Sequence, residues 1–303
     1  MPPLLLHIGY HKTGTTWLQN VLFKPKYGYQ SLLDLEEIHV LLERPHALTF
    51  DADAARAAIA ARQGLAPGKV EVISSESLSG TPWFGGRESV IYAERLKAVA
   101  PDARILITIR EQKRILTSIY MQYLKNYGSL SPKQFFQDTA QRDVYDFSSE
   151  YYEYHRLIDH YRKLFGPGNV HVGTQEALAR DPVAYAQELA RFSGAVAEYD
   201  REGLIEAENV SYPEHCAPII RRINKFQRGP IGREALIDLG PVAKIAYRGV
   251  GWVANRWPLK RYLNRFKPVS GYVRGHFAGR YAESNRKLKE MLGDQIDLKG
   301  YEM

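Results

Sequence analysis

The chain has a single cysteine, Cys216, among its 303 residues, so it has no second cysteine with which to form an internal disulfide. It also lacks any run of the roughly 18–20 apolar residues that a membrane-spanning helix requires. The N-terminal sequence MPPLLLHIGYHK has neither the basic start nor the long apolar stretch of a secretory signal peptide. These absences lead us to expect a cytoplasmic protein. We also consider peripheral contact of this protein with the inner face of the membrane.

Signatures for metal ions and nucleic acids are lacking too. The nine histidines and the one cysteine show none of the spacings by which short motifs hold zinc. The sequence contains no RNA-binding signature and no basic region followed by heptads. We therefore expect that the protein needs no metal and binds no nucleic acid.

Acidic residues are scarce in the C-terminal third of the chain. Residues 218–290 contain 17 Lys and Arg but only 4 Asp and Glu, whereas the whole chain has a net charge of +7. Aromatic residues are interleaved with these cations: Tyr247, Trp252, Trp257, Tyr262, Phe266, Tyr272, Phe277 and Tyr281. This composition favours an anionic partner such as an acidic glycan or a lipid surface. A solvated basic face over an aromatic core is the alternative.

The N-terminal segment has the pattern of a strand, a glycine-containing loop and a helix. The apolar run at residues 4–8 predicts a buried strand, and helical apolar spacing begins at Trp17. Between them lies the sequence GYHKTGTT, residues 9–16, which we call the loop. Such a loop directs backbone N–H groups and the positive end of a helix dipole at one point. We therefore predict an anion site here, with phosphate as the expected occupant.

The spacing within the loop distinguishes it from a nucleoside-triphosphate site. A Walker A loop has its lysine directly after the second glycine. Gly9 and Gly14 have the Walker separation, but Thr15 stands at the lysine position and the lysine is Lys12 instead. A triphosphatase without that lysine would hold the β- and γ-phosphates poorly. A P-loop kinase or nucleotide hydrolase is therefore only the second interpretation, and a non-catalytic anion- or glycan-binding protein is the third.

The run KTGTTW, residues 12–17, resembles the 5′-phosphosulfate loop of sulfotransferases, enzymes that use 3′-phosphoadenosine 5′-phosphosulfate (PAPS) on a P-loop-like fold. A second segment, RILITIREQKRILTSIYMQYL, strengthens the resemblance. In this family an arginine at a strand end and a serine eight positions later hold the 3′-phosphate, and Arg110 and Ser118 have that spacing. A guanidinium suits this task because it grips phosphate oxygens with two parallel hydrogen bonds.

The resemblance implies a set of cofactor-binding residues: Lys12, Thr13, Gly14, Thr15, Thr16, Trp17, Arg110 and Ser118. Trp17 resembles the tryptophan that stacks on adenine, although an aromatic residue here could equally belong to the core.

Sulfuryl transfer also needs catalytic groups, and the sequence offers candidates for them. A cation must stabilise the leaving phosphate, and the loop carries Lys12 for this. A base must accept the proton of the acceptor. Glu76 is our first candidate because it follows a predicted strand, although a structural carboxylate is the alternative. His11 is the second candidate, and His39 and His46 rank third.

Strands alternate with helices along the chain, which predicts a three-layer α/β fold. We expect a central, mostly parallel sheet flanked by helices, in the P-loop-NTPase-like arrangement of sulfotransferases. Predicted strands include residues 70–73, 104–109 and 170–172, and helices include 182–192 and 272–291. We predict one domain over residues 1–303, in which a basic, mainly helical region, residues 195–290, covers the acceptor site.

Together, the motifs and the family resemblance predict a sulfotransferase that moves a sulfuryl group from PAPS to a hydroxyl or amine. The basic, aromatic C-terminal third favours a carbohydrate or glycolipid acceptor. The sequence contains no indication of the oligomeric state.

Overall fold

The computed structural model describes residues 3–137, 146–204, 213–226 and 265–303. The contacts within the chain divide it into two compact units. The first unit consists of Met1–Glu111, Glu150–Ala207 and Ala282–Met303, and the second consists of Gln112–Ser149 and Glu208–Tyr281. Each unit is described by itself below, and the single-domain organisation stays a prediction.

The first unit is built on a five-stranded sheet in which every neighbouring pair is parallel. Its strands are β1 (Leu5–His7), β2 (Tyr29–Ser31), β3 (Val70–Ser74), β4 (Arg104–Ile109) and β5 (Val170–Thr174). They lie in the order β2-β3-β1-β4-β5. This arrangement, with helices around it, confirms the predicted three-layer α/β fold.

Strand β1 lies at the centre of the sheet, and all three of its residues are buried. Leu6 is in register with Ile73 on one side and with Ile105 on the other, and all three side chains are fully buried. A parallel strand covered on both faces needs this near-continuous apolar run. The chain passes from β1 to one side of the sheet and then crosses to β4 on the other side. In such sheets the ligand site lies at the carboxyl ends of the strands where the order reverses.

The helices alternate with the strands along the chain, as the sequence predicts. They are α1 (Thr15–Trp17, continuing as a π-helix over Leu18–Leu22), α2 (Leu35–Ile38, continuing as a π-helix over His39–Glu43), α3 (Ala52–Ala60), α4 (Ser89–Val99), α5 (Gln112–Lys125), α6 (Pro132–Phe135), α7 (Tyr154–Phe165), α8 (Gln175–Arg180), α9 (Pro182–Ser193), α10 (Ala217–Asn224), α11 (Pro268–His276) and α12 (Ala282–Leu292). Short 3-10 turns occur at Pro25–Tyr27, Glu76–Ser79, Glu150–Tyr152, Pro167–Asn169, Glu214–Cys216 and Gly293–Gln295.

Aspartates mark the starts of helices in the first unit. The Asp51 carboxylate accepts a hydrogen bond from the Ala54 N–H at 2.9 Å and caps α3. Asp181 caps α9 in the same way and is followed by proline at the first helical position. Both features satisfy or avoid the unpaired N–H groups of a first turn.

The second unit holds the described helices α5, α6, α10 and α11, and aromatic rings form its core. These rings belong to Tyr120, Tyr123, Phe135, Phe136, Phe147, Tyr272 and Phe277. The buried Asn224 side chain donates to the carbonyls of Leu124 and Gly128, both at 2.7 Å, and so joins α10 to the end of α5.

One prediction about secondary structure is wrong. The helix predicted over residues 272–291 is two helices, α11 and α12, separated by a segment in which Gly279 has a left-handed φ of 73°. Strand β2 and helix α2, within residues 24–50, were not among the predicted elements. Much of the predicted region 195–290 lies outside the described residues. Within the part of the chain that is described, no helix combines the length and apolarity needed to cross a membrane.

Candidate active site

The loop follows β1 and runs along the end of β4. The Tyr10 N–H donates to the Thr108 carbonyl at 2.9 Å, which continues the pairing of the two strands by one step. The Thr13 hydroxyl then donates back to the Tyr10 carbonyl at 2.5 Å and closes a tight turn. Helix α1 begins directly afterwards, with Gly14 as its N-cap. The sequence thus predicted the strand–loop–helix order correctly.

Lys12 stands in this turn with its side chain exposed and its backbone in the left-handed region, at a φ of 67°. A non-glycine residue rarely adopts this conformation, and such strain concentrates at functional sites. Gly14 also has a positive φ, of 96°, and a Cβ there would lie 2.7 Å from Leu178. The turn therefore places Lys12, an exposed residue, at the carboxyl edge of the sheet.

Glu76 follows β3, the strand beside β1, and lies near the loop. Its Oε1 is 4.0 Å from Nδ1 of His11. The Ser75 N–H donates to the His7 carbonyl at 3.1 Å, and the Ser75 hydroxyl accepts from the Ser77 N–H at 3.2 Å. These bonds fix the start of the 3-10 turn at Glu76. The structure therefore brings together the two base candidates that the sequence ranked first.

The environment of His11 favours a neutral imidazole. Burial lowers the pKa of His11, the Glu76 carboxylate opposes this effect, and the Lys12 ammonium adds to it. The His11 side chain is 20% exposed, and its Nε2 is buried without a hydrogen-bond partner. A neutral ring next to a carboxylate can accept a proton or stabilise one held by its neighbour.

Arg110 follows β4 and approaches the same turn. Its Nη1 donates to the Lys12 carbonyl at 3.2 Å, while its own carbonyl accepts from the Tyr154 hydroxyl at 2.6 Å. Glu176, at the start of α8, accepts from the Glu111 N–H at 3.1 Å and from the Tyr301 hydroxyl at 3.1 Å. Burial and the Glu176 carboxylate raise the pKa of Tyr301. The backbone of Arg110 and Glu111 is therefore held by a phenol group from α7 and a carboxylate from α8.

The comparison with known families decides between the three interpretations. The sequence profile of the sulfotransferase family matches residues 3–198, which include the loop, Glu76 and Arg110. The chain belongs to the sulfotransferase family. The prediction of a PAPS-dependent sulfotransferase is thereby confirmed.

The similar solved structures include other sulfotransferases. The sulfotransferase from Alicyclobacillus acidocaldarius has a TM-score of 0.51 and 21% identity, and the match covers 69% of this chain and 87% of that one. A mouse sulfotransferase, SULT7A1, complexed with PAP, has a TM-score of 0.40 and 14% identity, with 98% and 85% of the two chains covered. Among curated protein sequences no match was found.

The remaining predicted cofactor residues of the sulfotransferase differ in exposure. Thr16 is exposed, whereas Thr13 and Thr15 are buried. The Thr13 hydroxyl is engaged inside the protein, so this residue can bind a phosphate only through its backbone N–H. The Trp17 indole N–H donates to the Leu204 carbonyl at 2.9 Å and the ring packs edge-on against Tyr185. Stacking of Trp17 on adenine stays a prediction.

Ser118 lies partly buried on α5 of the second unit, two turns from the start of that helix. Its joint contact with Arg110 to a 3′-phosphate stays a prediction.

A buried carboxylate near the site escaped sequence analysis. Glu43 Oε2 contacts Nδ1 of His39, and Glu43 Oε1 accepts from the Ser75 hydroxyl at 3.1 Å. The Arg95 guanidinium donates to the Leu42 and Glu43 carbonyls and holds this segment in place. The only signal in the sequence was the spacing of four between His39 and Glu43, which places both on one helix face.

The first unit also has a surface cavity of about 780 Å³ between α4, α7 and α12. Its lysines are paired with carboxylates on their own helices: Lys163 with Asp159 at 2.5 Å, and Lys287 with Glu283 at 2.6 Å. The cavity includes none of the predicted site residues, so we assign the sulfotransferase site to the sheet edge instead. The described residues contain no group of three or more His, Cys, Asp or Glu side chains placed to hold a metal ion.

Proposed function

We propose that this sulfotransferase transfers the sulfuryl group of PAPS in line to an acceptor hydroxyl or amine. The observation that carries the proposal is the meeting of three elements at one edge of the sheet. These are the strained turn with Lys12, the Glu76–His11 pair 4.0 Å apart, and Arg110, which contacts the turn directly.

The residues at this edge fit the donor. The loop would hold the 5′-phosphosulfate with its backbone N–H groups and with Lys12, and Arg110 would hold the 3′-phosphate. Both cations lie at the same turn, because the Arg110 guanidinium donates to the Lys12 carbonyl. Transfer leaves negative charge on the departing phosphate, and the Lys12 ammonium would stabilise that charge as it develops.

Glu76 is the proposed general base. As the acceptor oxygen forms its bond to sulfur, the bond between sulfur and the phosphate oxygen breaks, and the acceptor proton passes to the Glu76 carboxylate. The products are the sulfated acceptor and 3′-phosphoadenosine 5′-phosphate. His11 would stabilise the protonation states of Glu76, since its Nδ1 faces that carboxylate.

For the acceptor we propose a carbohydrate or glycolipid. Support comes from the composition of the second unit, where the described C-terminal part carries Arg265, Lys267, Arg274 and Arg280 with the exposed Phe266. Cations suit an acidic glycan, and aromatic rings suit the faces of sugars. Mass spectrometry of glycan, glycolipid and phenol mixtures treated with the enzyme and labelled PAPS tests this class. Label found only in phenols would contradict it.

The donor proposal predicts selective stabilisation by the bisphosphate product. We expect 3′-phosphoadenosine 5′-phosphate at a hundred times its dissociation constant to raise the free energy of unfolding by about 2.7 kcal/mol. ATP and ADP should have little effect at the same concentration because the loop lacks the Walker lysine. Thermal denaturation with each ligand measures the difference. Stabilisation by ATP alone would support a kinase or hydrolase instead.

Two variants test, by the same measurement, whether Arg110 holds the 3′-phosphate. Arg110→Ala should lose most of the stabilisation by the bisphosphate, because a charge-paired phosphate contact is worth some 2–4 kcal/mol. Stabilisation by adenosine 5′-phosphosulfate, which has no 3′-phosphate, should persist. Arg44→Ala is the matched control, since Arg44 is exposed and pairs with Glu36 at 2.6 Å on the surface. Equal losses for both ligands in Arg110→Ala would contradict the assignment.

A further inference from the structure

A continuous chain of hydrogen bonds runs beneath the loop through the three central strands. It begins at Gln19, whose Nε2 is 3.1 Å from Ser74 Oγ, and Ser74 Oγ is 2.8 Å from His7 Nδ1. On the other side of the ring, His7 Nε2 is 3.3 Å from Thr108 Oγ1. Thr108 Oγ1 is 2.7 Å from Thr13 Oγ1, which is 2.5 Å from the Tyr10 carbonyl oxygen. His7, Thr13 and Thr108 are each at most 1% exposed. Water is therefore not available to replace the bonds that join these three residues.

The direction of every proton in this chain is determined from its loop end. The Thr13 hydroxyl donates its proton to the Tyr10 carbonyl, so its oxygen accepts from the Thr108 hydroxyl. Because the Thr108 hydroxyl donates its only proton to Thr13, its oxygen accepts from the Nε2–H of His7.

The other half of the chain follows from the charge of His7. Burial lowers the pKa of His7 to about 3, so the ring is neutral and carries only one N–H. Nδ1 therefore accepts from the Ser74 hydroxyl, whose oxygen accepts from the Gln19 amide. Each of the three hydroxyls, and the imidazole, therefore donates one hydrogen bond and accepts one within the chain.

Gly9 makes the close approach of Thr108 to the loop possible. A Cβ at position 9 would lie 1.7 Å from Thr108 Oγ1 and 2.7 Å from His7 Nε2. The first glycine of the loop therefore leaves room for the hydrogen-bond chain. Thr108 also accepts the Tyr10 N–H with its carbonyl, so it holds the loop by its backbone and its side chain together.

We propose that Thr108 is a positioning residue for nucleotide binding: through the Thr13 hydroxyl it holds the Tyr10–Thr13 turn, and with it Lys12, in the binding geometry. The inference rests on the proposed function of the loop. The turn needs such support because Lys12 is held in an unfavourable left-handed conformation, and a loop free to relax would lose that conformation.

The test compares three variants by titration with 3′-phosphoadenosine 5′-phosphate and by turnover at saturating PAPS. Thr108→Val keeps the shape but removes the hydroxyl, and we expect the dissociation constant to rise between about tenfold and a hundredfold. Thr108→Ser keeps the hydroxyl and should bind within about threefold of the unaltered protein. Circular dichroism sets a temperature at which every variant is folded.

Tyr29→Phe is the control for the general cost of losing a buried hydrogen bond. The Tyr29 hydroxyl contacts Ser193 at 3.0 Å, and Tyr29 opens β2 at the sheet edge opposite the loop. This variant should be less stable but bind the nucleotide normally.

The outcomes separate the inference from the proposed function. Weak binding by Thr108→Val alone, restored by serine, supports the inference. Normal binding by Thr108→Val, or equal weakening by Tyr29→Phe, overturns it and leaves the proposed function standing. Absence of nucleotide binding by the unaltered protein overturns both.

Discussion

Replacing Lys12 with alanine is expected to lower turnover by on the order of a hundredfold to a thousandfold, while the bisphosphate product still binds. The ammonium acts mainly on the charge that develops as the phosphate leaves, so its loss affects the transition state more than the bound ground state. Steady-state kinetics at saturating PAPS and titration of the product measure the two effects. Near-normal turnover would remove Lys12 from the mechanism.

The left-handed backbone of Lys12 allows a control that separates the loss of the ammonium from distortion of the turn. Alanine keeps the strain at a φ of 67°, whereas glycine relieves it. If Lys12→Ala fails only because the turn is distorted, Lys12→Gly should regain activity. We expect both variants to be equally inactive, with the glycine variant the more stable. Lys26→Ala, an exposed lysine outside the loop, should keep full turnover.

Glu76→Gln is expected to lower turnover by about a hundredfold to ten-thousandfold without weakening PAPS binding. Glutamine keeps the size of the side chain but does not accept the proton. The remaining rate should be larger for acceptors whose hydroxyl is already acidic, such as nitrophenols, because these need less help from a base. Plotting rate against acceptor pKa for both proteins measures this trend.

Glu71→Gln controls for the loss of a nearby carboxylate, since Glu71 lies on β3, the strand that precedes Glu76, and accepts only the Gly64 N–H at 2.6 Å among its described hydrogen bonds. If Glu76→Gln loses nucleotide binding or unfolds, Glu76 is a structural residue. His11→Asn then becomes the next variant to assay, because His11 is the neighbouring candidate.

Local patterns predicted most of the first unit. Strand β4 was predicted with its observed bounds because four of its six residues are apolar, and five of the six are buried where the strand lies between two others. Strand β2 was missed because it has only three residues, Tyr29–Ser31, and shows no alternation over such a length. The break before α12 was missed because the apolar spacing continues across residues 277–281.

The site residues were predicted from motifs in the loop and at the strand ends, whereas the side chains that support them could not be predicted. Glu76 and His11 are 65 positions apart, and only the pairing of β1 with β3 brings them together. Thr108 and His7 appear in the sequence as one polar residue each within an apolar strand. Nothing in a strand pattern indicates that two such residues contact one another across the sheet.

The neutral state of His7 has a consequence for the behaviour of the enzyme in acid. The pKa of this imidazole is 6.5 in an unfolded chain and about 3 in the folded protein. Between these values the unfolded chain binds a proton that the folded protein excludes, so acid favours unfolding. The stabilisation is complete above pH 6.5 and declines by about 1.4 kcal/mol for each pH unit below it.

Urea denaturation across this pH range measures the decline. A His7→Asn variant, although less stable at neutral pH, should show a slope that is smaller by the contribution of this one group. An unchanged slope would show that His7 does not stay neutral in the folded protein. The side chain that orients the hydroxyls beneath the loop thus also ties the stability of the folded enzyme to pH, so that mild acid weakens the fold around the loop through a group that takes no part in the chemistry.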